Sequence, residues 1–457
     1  MYSRRTLPLF CFALAVLAAL CGQAFAGSTV AGLCASPGTH YTTIQAAVTA
    51  AEALTPPITV RVCPGTYTEQ VLITKSLTLE GVPSTPPTQD AAVILPPLSG
   101  LSANGVDIFG NPVATQIFVQ GPGITVTITN LTVDGTGNNL AGCGAPTLEG
   151  IYFQNASGKI FKNAVRNQFQ TEFADFGGCQ NGLAINVENA DGSSNVTISN
   201  NSVRSYQKNG ITATGAATGY GAYGPTVTIS GNYIVGLGAT GMNWPGGAAE
   251  NGVQVGFGAV GTISGNTVND NIWWGEYAQY NYDGLGGPTP GNGASGILVY
   301  ASEGVTISSN SVGSAQFGIA VDSDPTYGPA DSNTITSNKI SGTQVFDAID
   351  VCSSSNTVKL NNIYGSAQSA IHVDDGCGSG NYNTVTNNTI NEACAGILEG
   401  TNTGTYSPNT YDNVTYTTLA GDVCPLTVVG PSMQGTAARG TSARNLARSS
   451  PYKPSRK

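Results

Sequence analysis

The chain has 457 residues, of which 10% are charged and 40% hydrophobic, and its formal net charge is −10. That shortage of positive charge argues against nucleic acid and against unaided binding of acidic polymers. The apolar share is enough for a long core, and internal repetition overrides the several domains that length alone suggests.

The first element is "MYSRRTLPLFCFALAVLAALCGQAFAGS". A basic start, an apolar run from Leu7 to Leu20 and the small-residue pattern Ala24-Phe25-Ala26 read as an export signal over residues 1–26, cut before Gly27. No later apolar run is long enough to span a bilayer. The expectation is a monomer without a membrane span, secreted to an extracellular or periplasmic space. Removing the signal takes Cys11 and Cys21 and leaves Cys34, Cys63, Cys143, Cys179, Cys352, Cys377, Cys394 and Cys424. An even set of cysteines in an exported chain, without close CxxC spacing, predicts disulfides whose pairing stays open.

From about residue 125 to the tail, the chain is built of recurring phrases. "NVTISNNSV" (195–203) recurs as "TVTISGNYI", "GTISGNTV", "GVTISSNSV", "NTITSNKI", "NTVKLNNI" and "NTVTNNTI". "TVTITNLTV" (125–133) is an earlier copy and "GKIFKNAV" (158–165) a degraded one. Between copies comes a second phrase, as in "NGITAT", "NGVQV", "SGILVY", "FGIAVDS", "DAIDVCS" and "SAIHVDD". Period-two patterning rich in β-branched residues, Asn, Ser, Thr and Gly excludes helices and requires strands. Asn201, Asn232, Asn266, Asn310, Asn338, Asn362 and Asn388 fill one slot, with the spacing falling to 24 residues between Asn338 and Asn362. Asn suits a sharp bend because it tolerates the left-handed conformation and its amide bonds locally. The architecture that satisfies this pattern is an all-β solenoid with three short strands per turn and Ile, Val and Leu stacked inward.

These repeats resemble the right-handed parallel β-helix of the pectate-lyase-like superfamily. "YTTIQAAVTAAEA" followed by "ITVRVCPGTYTEQVLITKSLTLEG" looks like the opening of pectin methylesterases, where a short amphipathic helix, here about 43–53, plugs the first coil. The resemblance implies a three-sheet solenoid over residues 27–425 with a short N-terminal capping helix. Residues 426–457, basic and without acids, read as a disordered tail.

The resemblance also implies that the strand carrying the "GI-x-V" phrase forms the first sheet and that substrates lie along its outer face. With Ile319, Val321, Ile349, Val351, Ile371 and Val373 inward, Asp322, Asp350, His372 and Asp374 point outward. Asp350 and His372 become neighbours, while Asp322 and Asp374 sit two coils apart at about 9–10 Å. Asp324, Asp375 and Tyr300 border the patch. A carboxylate pair at that separation suits an inverting glycosidase. Polygalacturonases of this fold carry "NTD", "DD", "GHG" and "RIK"; this chain has Asp374-Asp375 and neither GHG nor RIK. Arg204 and Lys208 are the nearest basic residues for a lyase.

Coil length swells between Asn232 and Gly252 and between Asn266 and Gly296. These insertions contain Trp244, then Trp273 and Trp274 followed by Tyr277, Tyr280 and Tyr282. Aromatic faces beside a polar groove are what sugar rings stack on. The reading is a glycoside hydrolase whose partner is a polysaccharide or cell-surface glycan. Asp322, Asp350, Asp374 and Asp375 would share acid and base roles, His372 would orient one of them, and no cofactor is required. The rivals are a non-catalytic carbohydrate-binding or adhesion solenoid, and a lyase or epimerase with calcium on Asp322, Asp324 and Asp374.

Overall fold

A computed structural model of the protein describes residues 27–84, 90–172, 179–216, 224–238, 250–272, 294–343, 346–374, 380–400 and 403–420. The export signal and the basic tail lie outside the described residues. So do Asp375, Trp244, Trp273, Trp274, Tyr277, Tyr280 and Tyr282.

One coil illustrates all of them. Asn195–Ser199, Ser202–Tyr206 and Asn209–Gly215 are three strands separated by bends, and Thr226–Ser230 then pairs in parallel with the first of them. In each coil the β-branched positions turn inward. Ile128, Ile160, Ile198, Ile229, Ile263, Ile307 and Ile335 form one column through successive register pairs. Ile117, Ile151, Ile185, Ile211, Val253, Ile297, Ile319, Ile349 and Ile371 form another, facing it across the core. All are fully buried, each worth about 1.5–3 kcal/mol over exposure. The chain is a parallel β-helix, as the repeats require.

Among the described residues the strands form a 14-stranded and a 22-stranded sheet rather than three separate ones. Two of the three expected sheets fuse, because the chain stays extended around one bend; Asn362–Val373 crosses it as a single strand. The other bend is sharp and carries an asparagine ladder. Asn163, Asn201, Asn232, Asn266, Asn310, Asn338, Asn361, Asn388 and Asn409 each pass a side-chain hydrogen bond of 2.9–3.1 Å to the next. The rung after Asn338 is Asn361, not Asn362. In "LNNI", Asn362 begins the following strand opposite Lys339. The left-handed backbone also belongs to a different residue than expected. It falls on the one before each rung, such as Asn200 (φ 55°), Gly231 (φ 63°), Gly265 (φ 63°) and Leu360 (φ 58°). The ladder amides are freed to bond up and down the stack, and Gly-Asn recurs because glycine takes that conformation without strain.

The predicted helix is Ile44–Glu52, with Thr43 accepting from Ala46 N at 3.1 Å. Glu69 receives the Ile44 and Gln45 N–H groups at 2.8 Å each, pinning the helix start to the solenoid. Ile44, Ala47, Val48 and Ala51 are buried and close the core at this end. Disulfides join Cys34 to Cys63 and Cys143 to Cys179, and Cys352 and Cys394 are disulfide-bonded as well. Such bonds fit an oxidising compartment. No helix among the described residues is long and apolar enough to cross a membrane.

Candidate functional site on the outer face of the first sheet

The strands Ser295–Tyr300, Phe317–Asp322, Ile349–Cys352 and Asn362–Val373 stack in register, so their outward residues form rows along the solenoid. One row runs Leu298, Ala320, Asp350, His372, Leu398. The neighbouring row runs Tyr300, Asp322, Cys352, and Asp374 continues it, its N–H on Val351 O at 3.0 Å. The expected juxtaposition of Asp350 with His372 is present, at 3.4 Å between Oδ1 and Nδ1.

A further acid joins them. Asp347 precedes its strand at the bend and lies 3.3 Å from His372 Nδ1 through Oδ2. Its Oδ1 accepts from Ser369 N at 2.9 Å and from the Ser369 hydroxyl. The sequence signal was "DAID": a residue three positions before an outward one also faces out where the chain turns. Counting from the GI-x-V phrase alone misses it.

The outward face is not an open groove here. Asp322, Asp350, Asp374, Asp347 and His372 are all 2–5% exposed. Burial raises the Asp350 carboxyl well above the ordinary range; His372 opposes this, and the charges of Asp374, Asp322 and Asp347 add to it. Burial disfavours the charged imidazole, but the hydrogen bond and charge of Asp347, with Asp350 and Asp374, lift His372 to about 10. Both groups are thus pushed toward their protonated forms. Asp350 Oδ1 and His372 Nε2 are buried without a hydrogen-bond partner.

Tyr300 stands beside Asp322, as placed from the sequence. It is 5% exposed, its ring 5.4 Å from that of Phe257, and its hydroxyl donates to Asp324. Asp324 also caps its own turn, accepting from Thr326 N at 2.7 Å and Tyr327 N at 3.1 Å. The two basic candidates are elsewhere. Arg204 lies over the Tyr233 ring, 4.7 Å from its centroid. Lys208 is fully buried; desolvation drives its ammonium well below the ordinary range, with Glu250 pulling the other way.

A second acidic group on this face has no counterpart in the sequence reading. Asn186 donates to Glu149 at 2.8 Å and to Glu188 at 3.1 Å, and the Tyr152 hydroxyl donates to Glu188 at 2.5 Å. Both glutamates are fully buried. Glu188 in "AINVEN" occupies the slot that Asp322 fills in "GIAVDS", so the same register turns both outward.

Among the described residues, Asp347, Asp350 and His372 alone bring three metal-capable atoms within 4.8 Å of one another. Two carboxylates and one imidazole, with Asp347 already bonded by Ser369, fall short of the six to eight oxygens of calcium. They also lack the sulfur or additional imidazole that copper favours.

A family described as "Periplasmic copper-binding protein (NosD)" matches residues 285–419, which include all five of these residues. No curated protein is similar enough to match. Among solved structures, the GH136 lacto-N-biosidase of Eubacterium ramulus aligns with a TM-score of 0.49 at 9% identity, over 89% of this chain and 70% of that one. The Dettilon tailspike protein aligns at 0.48 and 14%, over 81% and 65%. The catalytic domain of a GH87 alpha-1,3-glucanase aligns at 0.46 and 13%, over 85% and 65%. The chain thus spans about two thirds of the length of the last two. Likenesses of this order decide neither ligand nor activity. Its sequence repeats, parallel register and family match identify the chain as a right-handed parallel β-helix repeat protein.

Proposed function

We propose that this protein is an exported enzyme that hydrolyses a neutral polysaccharide on the outer face of its first sheet. Asp350 gives its proton to the departing glycosidic oxygen. Asp322 or Asp374 takes a proton from the water that attacks the anomeric carbon, the C–O bond breaks, and the products are two shorter chains. The observation that carries this reading is the buried Asp350 carboxyl set among Asp322, Asp347 and Asp374, where burial and their charges raise it well above the ordinary range, the direction that a general acid needs. Asp322 and Asp374 each stand one coil step and one outward position from Asp350, about 8 Å on ordinary strand spacing. That leaves room for a water.

The charge balance selects the substrate class. One imidazolium among the acids gives the patch a negative field, which repels polyuronates and accepts uncharged chains. On this reading Trp244, Trp273, Trp274, Tyr277, Tyr280 and Tyr282 stack on sugar faces. The buried state of the acids requires their cover to move aside for the substrate. The same burial favours the second reading, a carbohydrate-binding solenoid without turnover. Copper has no step in this reading, because two carboxylates and one imidazole are a poor donor set for that metal.

The test is a panel of neutral and acidic polysaccharides, each with and without calcium, followed for new reducing ends and for unsaturated products. Calcium-independent reducing ends from a neutral glycan support the proposal. Unsaturated products would move the protein to the lyases, and binding without turnover would make it a binding solenoid.

A further inference from the structure

Two acids face one histidine, and they do so differently. Asp347 is clamped before it meets the ring: its Oδ1 holds the Ser369 N–H and hydroxyl, leaving Oδ2 at 3.3 Å from His372 Nδ1. Asp350 lies at 3.4 Å from the same nitrogen, and its Oδ1 makes no hydrogen bond. Asp374 acts on the ring through its charge, and the next coil presents only the apolar Leu398 in that row. The opposite ring nitrogen, Nε2, is buried with no partner. A charged imidazole has two N–H donors, so one is committed to an acid and the other is unspent.

We propose that Asp347, clamped by Ser369, is a positioning residue. It takes the His372 imidazolium as its ion-pair partner, which aims Nε2–H at the glycan and leaves the Asp350 carboxyl to serve as the acid. Without Asp347, Asp350 would be the counter-ion of His372 and would surrender its proton. Asp347 touches no reacting atom; it acts through the histidine and through its charge on Asp350. The inference rests on the glycan-cleaving reading for its consequence, though the pairing itself is measurable without a substrate.

The chain has two histidines, and His40 is exposed, bonded to Gly32 O and Ser36 O at the far end. A His40→Gln protein therefore gives a single imidazole signal by nitrogen-detected NMR. His372 is expected to stay protonated through pH 9, with a downfield Nδ1 proton. Asp347→Asn should lower its titration point by about 1–3 units, and Asp350→Asn should lower it by less. On a cleaved glycan, Asp347→Asn should depress kcat, leave KM nearly unchanged and move the pH–rate profile. A merely structural residue would change thermal stability without moving the imidazole titration. A wild-type His372 titrating near 6.5 overturns the proposal, and this reading stands even where the variant fails to fold. An unchanged titration in folded Asp347→Asn overturns it equally. Absence of turnover with the expected NMR result counts against the hydrolase reading and not against the pairing.

Discussion

Asp350 and His372 stand side by side on adjacent coils, Oδ1 and Nδ1 3.4 Å apart, each about 95% buried. The neighbouring acids raise both groups, the carboxyl toward its acid form and the imidazole toward its charged one, while the contact itself pulls the carboxyl down. Burial alone would keep both neutral. The surplus of acids around one base sets these directions, since Asp347 and Asp374 raise both groups.

The stereochemistry of cleavage follows from the spacing between Asp350 and its diagonal neighbours Asp322 and Asp374. A separation of about 8 Å is too long for a nucleophile to bridge and right for an intervening water. The first sugar released should carry the inverted anomeric configuration, read by proton NMR before mutarotation sets in. A retained anomer would remove Asp322 and Asp374 from the catalytic pair.

Stability should fall with rising pH in two windows. Burial and the charge of Asp107 push Glu188 up to about 7, against hydrogen bonds from Tyr152, Asn186 and Ile108; the unfolded carboxyl is near 4.5. Between those values the folded state binds the extra proton, so stability declines from about pH 4.5 to 7. His372 holds its proton to about 10 when folded against 6.5 unfolded. Its contribution is complete below 6.5 and is lost as pH climbs through 10. Urea midpoints at pH 5, 7 and 9 should decrease in order. Glu188→Gln should flatten the first step and His372→Gln the second.

The asparagine ladder is the principal polar stabiliser of the sharp bend. Asn266 donates to Ile229 O and Asn310 Oδ1, both at 2.9 Å, and its own Oδ1 receives the Asn232 N–H and amide at 2.9 Å each. Asn266→Ala strands a buried donor and a buried acceptor, which should cost about 3 kcal/mol in urea unfolding. Thr228→Ala, on the outward side of the neighbouring strand, should stay within about 0.5 kcal/mol.

Much of this was legible because a solenoid repeats its errors and its rules alike. The phrase GI-x-V fixes which residues face in, and one register step then places Asp350 on His372. The slip from Asn361 to Asn362 has the same origin: two adjacent asparagines fit the phrase, and only the left-handed Leu360 before the rung separates them. Asp347 and Glu149 escaped because outward alternation resets at the bend, and a count along the strand cannot see past it. The burial of the whole patch was not legible at all. A strand pattern says which face a side chain takes, never what lies on top of that face. Lys208 shows the same limit, since a lysine at a bend looks solvated until Glu250 and the surrounding coil enclose it.

The most direct test of the central claim compares wild type with Asp350→Asn for release of reducing ends from the neutral glycan cleaved best. Loss of the general acid should lower kcat by at least about 100-fold while the folded state and glycan binding persist. Undiminished turnover in a folded Asp350→Asn protein would contradict the account and place the chemistry away from this patch.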